Sequence, residues 1–395
     1  MVKTPNNNIL VERLKRQLSI AEENHLIRKN LPFESSHQAQ IKINKKKYIN
    51  FSSNDYLGLS SSRSIMRAFR RGVKQYSFGS GSSVVISGYC VEQQTLERQF
   101  AEFLNRDTAV FFNSGYLANL GVFSALSKRD DSILSDKLCH ASIVDGISLS
   151  RAKHYRYLHN DIVHLEKRLC AAHGHRFIVS ESVFSMEGHI SPIAEIASIA
   201  KKHQATLLVD DAHGIGVLGE NGGGICDHFS LSQEDVPCLI IPLGKALGGY
   251  GAIVAGKSDI IAAIIQWARS YRYTTALPAA IIKANLKALD LLKKENKRRE
   301  KLQALIQYFI TKAKTLTLPL LSDHSTTIKT FLIKCNKKAQ AIQAYMFSKG
   351  FLVSSIRPPT VPCGTARIRI SINYNHSKQS IEALLNHLKK AHEKY

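Results

Sequence analysis

Between residues 50 and 285 the chain alternates short apolar runs with stretches of helical period. The runs are TAVFFNS, DSILSD, HRFIVSES, ATLLVDDAHG, CLIIPLG and GAIVAG. A strand with one wet face would alternate apolar and polar residues, whereas continuous β-rich runs suit strands covered on both sides. The pattern therefore predicts an α/β fold, with a mainly parallel sheet and crossover helices. Upstream, ILVERLKRQLSIAEENHLIRKN (9–30) has the spacing of an amphipathic helix, and KINKKKYINFSS reads as a hairpin or extended arm. Downstream, residues 281–316 predict one long, highly charged helix. Strand-like TIKTFLIKC follows, then a helix near 337–349, the segments FLVSSIRP and ARIRISINY, and a last helix near 377–393. This change of pattern divides the chain into an N-terminal helix and arm (1–49), a large domain (50–285) and a smaller α+β C-terminal domain (286–395).

Composition changes the picture in one respect. Of 395 residues, 44% are hydrophobic and 22% charged, as in a globular protein with a substantial core. Basic residues outnumber acidic ones 54 to 31, a net charge of +23, and this favours an acidic partner or simply a basic coat. The basic run RRE at 298–300 lacks interleaved aromatics or a recognisable nucleic-acid module, so it reads as a solvated helix face and no nucleic-acid partner is expected. No apolar stretch approaches the length of a membrane helix, and MVKTPNNNILVERLKRQL has no signal-peptide core, so no membrane partner is expected. The seven cysteines form no CxxC pair, which points away from a zinc site or disulfide framework and towards a reducing cytoplasm.

The chemistry concentrates where apolar runs end. LLVDDAHGIG places Asp210, Asp211 and His213 after a strand, and HRFIVSESVFSMEG does the same for Glu181, Ser182 and Ser185. FFNSGYLAN runs from a strand into a small-residue helix start, whose free N–H groups suit a phosphate. IIPLGKALGGYGA sets Lys245 among apolar and glycine residues, whereas nearly all other basic residues stand in polar surroundings. That segment alone leaves two readings open: a turn whose lysine reaches solvent, or a lysine used covalently. The ordered set supplies the parts of a pyridoxal phosphate site: an amine, a carboxylate for the pyridine nitrogen, a phosphate cradle and a flat group to stack on the ring.

Seven stretches then carry a specific resemblance. FSSNDYLGLS (51–60), GSGSSVVISGY (79–89), FNSGYLANL (112–120), DKLCHASIVDG (136–146), ESVFSMEG (181–188), VDDAHGIGVLGENGGG (209–224) and GKALGGYGA (244–252) occur in order across nearly the whole chain. Together they resemble the α-oxoamine synthase family of fold-type I pyridoxal phosphate enzymes. SIRPPTVPCGTARIRIS (355–371) is similar to the branch of that family serving biotin synthesis. The resemblance implies condensation of L-alanine with a pimeloyl thioester, carried on coenzyme A or an acyl carrier protein, and a homodimer with shared active sites. Sister enzymes using glycine and acetyl-CoA, or making aminoketone signals, are the nearest rivals. A non-catalytic nucleic-acid-binding protein on this fold is a remote one, since the lysine, the aspartate and the histidines are all present.

The same resemblance assigns roles. Lys245 binds the cofactor covalently and moves the substrate's α-proton. Asp210, three residues before His213, pairs with the pyridine nitrogen, and His213 with the ring oxygen; sequence alone leaves a swap with Asp211 open. His140 stacks on the ring, and Glu181 and Ser185 line the cofactor. Ser114, Gly115 and Tyr116 form the phosphate and ring-edge segment, and Thr274 and Thr275 reach the phosphate of the neighbouring subunit. Arg357 takes the amino-acid carboxylate, Asn54 and Thr360 lie near the substrates, and Arg28 reaches the distal carboxylate of the acyl chain. No metal is expected. Two departures stand out. Pro242, three residues before Lys245, replaces a hydroxyl residue that would donate to the phosphate. Gln93 and Gln94 stand where a histidine is frequent.

Overall fold

The computed structural model describes residues 9–36 and 38–395. Helix α1 (Ile9–Glu23) stops well short of residue 30 and buries none of its residues. Its end is set locally: the Asn24 side chain takes the carbonyl of Ile20 at 2.7 Å, and His25 adopts φ 58°. The expected hairpin is present as β1 (Gln40–Ile43) and β2 (Lys46–Asn50), antiparallel, with Asn44 and Lys45 both at positive φ in the turn.

The large unit follows in order: α2 (Arg63–Tyr76), α3 (Val91–Phe103), β3 (Thr108–Phe112), α4 (Gly115–Leu126), β4 (Ser132–Asp136), α5 (Ala141–Ser150), β5 (Lys153–Tyr157), α6 (Ile162–Cys170), β6 (Arg176–Glu181), α7 (Ile193–Lys202), β7 (Thr206–Asp210), α8 (Ile225–Phe229), β8 (Cys238–Pro242) and β9 (Ala252–Gly256). The strands form one seven-stranded sheet in the order β3-β9-β8-β7-β6-β4-β5. All pairs are parallel except those of β9, which runs antiparallel to both neighbours. Every residue of β4, β8 and β9 is buried, which is why these strands are unbroken apolar runs. Strand β5, KHYRY, gave no such signal because it is the sheet's edge and keeps polar side chains partly in solvent.

After α9 (Ser258–Trp267) and α10 (Arg269–Arg272) come α11 (Ala279–Lys294) and α12 (Asn296–Thr315). The single long helix expected over 281–316 is thus two helices, broken at Glu295, whose ψ of 56° is not helical. Arg299 explains the break. It is buried, with Nη1 on the Leu292 carbonyl at 2.8 Å and Nη2 on the Glu220 carbonyl and Asn296 Oδ1 at 3.1 and 2.6 Å. The basic run at 298–300 is therefore not a solvated face: Arg299 ties off the end of α11, and Arg298 bonds the Leu57 carbonyl at 3.0 Å.

The chain ends with β10 (Ile328–Lys334), α13 (Asn336–Ser348), β11 (Phe351–Leu352), β12 (Ser354–Ile356), β13 (Ala366–Ser371) and α14 (Lys378–Lys394). Strand β11 joins the hairpin alongside β2, and β10, β13 and β12 make a separate antiparallel sheet. Residue 286 lies inside α11, a helix packed on α2, where a Cβ on Gly72 would come 2.5 Å from Ala280 Cα. A second lysine stands outside polar surroundings: Lys329 on β10 is fully buried, donates to the His324 carbonyl, and is lowered by burial to about 7.

Candidate active site

Strands β6, β7 and β8 end side by side, with Glu181 opposite Asp210 and Asp210 opposite Ile240. Functional groups gather at such carboxyl ends because the loops that follow are free to carry them. Lys245 lies three residues beyond β8, half-buried, in a loop closed by bonds from Leu243 N to Gly251 O (2.9 Å) and Gly249 N to Leu243 O (3.0 Å). Gly248 in this loop has φ 61°, and any Cβ there would sit 2.3 Å from Ser60 N. Burial lowers the Lys245 ammonium, while the Asp210 and Glu181 carboxylates act in the opposite direction.

The two aspartates separate. Asp210 accepts from Asn119 Nδ2 at 2.8 Å and from Ala212 N at 3.1 Å, and its charge reaches both Lys245 and His140. Asp211 is fully buried and turned the other way: it accepts from Ile225 N at 2.8 Å, and burial raises it to about 6. A Cβ on Gly224 would fall 1.8 Å from its carboxylate, so Asp211 organises the glycine loop that follows.

His213 is buried, 2.7 Å from the Tyr56 hydroxyl, and burial holds its imidazole well below the ordinary range. Tyr56 donates to Asn54 Oδ1 at 3.3 Å. That oxygen also accepts from Arg369 Nη2 at 3.2 Å, which joins Asn54 to a residue the sequence reading passed over. Arg369 is 6% exposed, and its other donors go to the Ser185 carbonyl (2.7 Å) and Ser371 Oγ (2.9 Å). Its charge bears on Tyr56, His213 and Lys245. The signal was present in ARIRIS: alternation on β13 puts Ile368 and Ile370 in the core and Arg367 and Arg369 on the other face. Arg367 forms a buried ion pair with Glu187 at 2.7 Å and also bonds the Met186 carbonyl at 3.1 Å. The two arginines thus clamp the loop that carries Ser185.

His140 caps α5, and its N–H donates to Glu181 Oε1 at 2.6 Å. Glu181 is buried, and burial, then the neighbouring Asp210 charge, raises its carboxyl well above the usual range. The rings of His140 and Tyr116 meet edge-on, 6.5 Å apart, and the Tyr116 hydroxyl donates to Asp145. Ser114 caps α4 by accepting from Leu117 N at 3.2 Å. Strands β3 and β8 flank β9 in matching register, Phe112 and Pro242 both facing Ala252, so the helix start folds onto Pro242. A Cβ on Gly115 would meet that proline ring at 2.6 Å. Thr275 bridges to Ser83, and its carbonyl accepts from Asn113 Nδ2 at 2.6 Å, which sets Thr275 and adjacent Thr274 near the start of α4.

The remaining predicted residues form a second group. Arg28 Nη2 bonds Thr360 Oγ1 at 3.1 Å and the Pro358 carbonyl at 3.4 Å, while Arg357 donates to the His25 carbonyl. The Arg357 guanidinium is lowered first by burial and then by the like charge of Arg28. Gln93 is buried and serves Glu97, to which it donates at 3.0 Å. The arrangement fits pyridoxal phosphate: an amine of lowered basicity, a carboxylate held by two donors, a histidine at the head of α5 and the small-residue start of α4. The one element that does not serve it is Pro242, which fills space beside the helix start and has no hydrogen to give.

The aminotransferase class I and II family model matches residues 46–388. The chain is 42% identical over 363 residues to an 8-amino-7-oxononanoate synthase of Pseudomonas entomophila, covering 92% of this chain and 93% of that one. It is 45% identical over 344 residues to the synthase of the same name from Saccharophagus degradans, covering 87% and 86%. Among solved structures, the Francisella tularensis 8-amino-7-oxononanoate synthase superposes with a TM-score of 0.78 at 37% identity, covering 87% of this chain and 97% of that one. A serine palmitoyltransferase from S. paucimobilis, solved with bound PLP and myriocin, gives 0.89 at 25% identity, covering 98% and 97%. The chain belongs to the class I and II aminotransferase family and, within it, to the 8-amino-7-oxononanoate synthases.

Proposed function

We infer that the protein joins L-alanine to a pimeloyl thioester with loss of CO2 and of the thiol carrier, giving 8-amino-7-oxononanoate, with pyridoxal phosphate as cofactor. The observation that carries this reading is Lys245, lowered by burial, with the Asp210 and Glu181 carboxylates and the Arg369 guanidinium acting on it. Bound pyridoxal phosphate supplies an electron sink for the carbanion formed at the alanine Cα.

The chain's own residues do the rest. Lys245 is the residue that would hold the cofactor covalently, and as a base of lowered pKa it would take the Cα proton of the bound alanine. Asp210, kept in place by Asn119 and Ala212, presents negative charge to the pyridine nitrogen. His213, kept neutral by its burial, is the residue that would bond the ring oxygen of the cofactor. Arg369 is the cation whose charge reaches Lys245, so it takes the alanine carboxylate. Arg357, Arg28 and Thr360 then form the site for the far carboxylate of the pimeloyl chain, which moves Arg357 from the role its motif implied. The far carboxylate is common to the coenzyme A thioester and the carrier-protein thioester, so this group serves either donor.

Exposed apolar side chains support a homodimer. Phe78 and Ile86 on one segment, and Trp267 and Tyr273 on another, are all more than 60% exposed. The segments are joined by Ser80 Oγ to Ala276 O (2.6 Å), Ala276 N to Ser82 O (2.9 Å) and the Ser83–Thr275 bridge. Such a patch asks for cover, and a second copy would bring Thr274 and Thr275 to the neighbouring site.

The test is turnover with paired substrates. L-Alanine with pimeloyl-CoA should give product, glycine with acetyl-CoA little, and Lys245→Ala should lose more than the roughly 10²–10⁴-fold of a general base alone, because the covalent link goes too. Preference for glycine and acetyl-CoA would reassign the substrates, and near-normal turnover by Lys245→Ala would remove the lysine from the chemistry.

A further inference from the structure

The Asp210 carboxylate is the end of a hydrogen-bonded chain. Asn119, buried on α4, approaches Asp210 Oδ2 with Nδ2 at 2.8 Å, and the same nitrogen lies 2.9 Å from Ser142 Oγ on α5. Ser142 Oγ is in turn 2.7 Å from His140 Nδ1. The helices come this close because Gly146 lies between them: a Cβ there would stand 2.8 Å from the Asn119 carbonyl.

The directions of these bonds follow from the groups that can only donate or only accept. A carboxylate only accepts, so the amide nitrogen of Asn119 faces Asp210. An NH2 group only donates, so Ser142 Oγ accepts its second hydrogen. The Ser142 main-chain N–H also points at His140 Nδ1, at 3.3 Å, and can do nothing but donate. Nδ1 therefore carries a lone pair, and the serine hydroxyl proton goes to it. His140 is left neutral, with its hydrogen on Nε2. A proton on Nδ1 would oppose the Ser142 main-chain N–H, and partial burial of the ring also lowers the imidazole.

We propose that Asn119 and Ser142 are positioning residues: they tie the Asp210 carboxylate to His140 and hold that imidazole as the neutral Nε2–H tautomer, so that its one donor faces away from the chain. The proposal rests on the reading of Asp210 and His140 as the groups that face the cofactor. Neither Asn119 nor Ser142 need touch cofactor or substrate. They act through the orientation and proton position of His140, whose main chain is fixed separately by Glu181.

Nitrogen-15 NMR of the full chain labelled at histidine, without cofactor or substrate, tests this directly. His140, assigned by loss of its signals in His140→Asn, should show the Nε2–H pattern at neutral pH. In Ser142→Ala and Asn119→Ala it should shift towards mixed tautomers and titrate at higher pH, and Ser142→Thr, which keeps the hydroxyl, should restore it. In the loaded enzyme the acid limb of kcat/KM should move up by about one pH unit in Ser142→Ala, with the alanine KM little changed. Circular dichroism separates misfolding, and Ser142→Ala serves if Asn119→Ala does not fold. An Nδ1–H or doubly protonated His140 in the wild type, or a tautomer indifferent to Ser142→Ala, overturns the proposal. A protein that shows the tautomer and its loss in the variants, yet binds no pyridoxal phosphate, keeps the chain and overturns the cofactor reading instead.

Discussion

At the residue scale, the proposed roles give two arginine groups the two carboxylates of the substrate pair. Arg369 is buried among neutral acceptors, and its charge is felt at Lys245. Removing such a fork costs more than losing a surface ion pair, because a charged ligand loses its charge-assisted bonds. Arg369→Ala should therefore raise the alanine KM by about 30-fold or more and leave the thioester KM near its wild-type value, while Arg28→Ala should do the reverse; steady-state kinetics with each substrate varied decides. Pro242 makes a second prediction. It sits against Gly115 at the start of α4 and can donate nothing to a phosphate there. Pro242→Ser supplies a hydroxyl, and one bond to a charged group, at about 1.5 kcal/mol, should tighten cofactor binding about tenfold. Fluorescence titration with pyridoxal phosphate that finds equal affinity would show that the proline's position is not part of the cradle.

At the element scale, the motifs were legible because their strands are central. HRFIVSES, ATLLVDDAHG and CLIIPLG each hold one central strand, buried beyond its first residue, followed by its functional loop, and Glu181, Asp210 and Ile240 lie in register. The edge strand β5 was silent for the opposite reason, as its charged residues remain partly wet. The long helix over 281–316 misled because helical period continues unchanged through Glu295, where only the tertiary bonds of Arg299 reveal the break. Arg299→Met should cost about 2 kcal/mol, since it leaves the buried Leu292 carbonyl without its donor. Urea unfolding would show it as a lower midpoint at unchanged slope, and an unchanged midpoint would mean that the turn forms without the arginine.

At the scale of the whole molecule, the apolar patch from residues 78–89 and 267–276 asks for a partner, and the site's phosphate segment lies beside it through the Asn113–Thr275 bond. Placing a charge there should separate the copies. If the proposed dimer forms through this patch, Ile86→Asp is expected to convert it to monomer in sedimentation and to reduce activity in step with dissociation. A variant that stays dimeric would move the interface elsewhere.

Sequence by itself determined the strands of the large sheet apart from the edge strand β5, the order of the motifs along it, the family, and the candidate lysine, aspartates and histidines. Apolar runs and spaced motifs are local properties, and they survive being read one residue after another. Tertiary structure alone decided which aspartate's charge reaches Lys245, that Arg369 meets Asn54 and the Ser185 carbonyl, that Arg28 and Arg357 share one corner, and that Asn119 joins Asp210 to His140 through Ser142. Each of these depends on where side chains from distant segments converge. Direction, burial and shared hydrogen bonds are set by packing, which leaves no periodic mark in the chain.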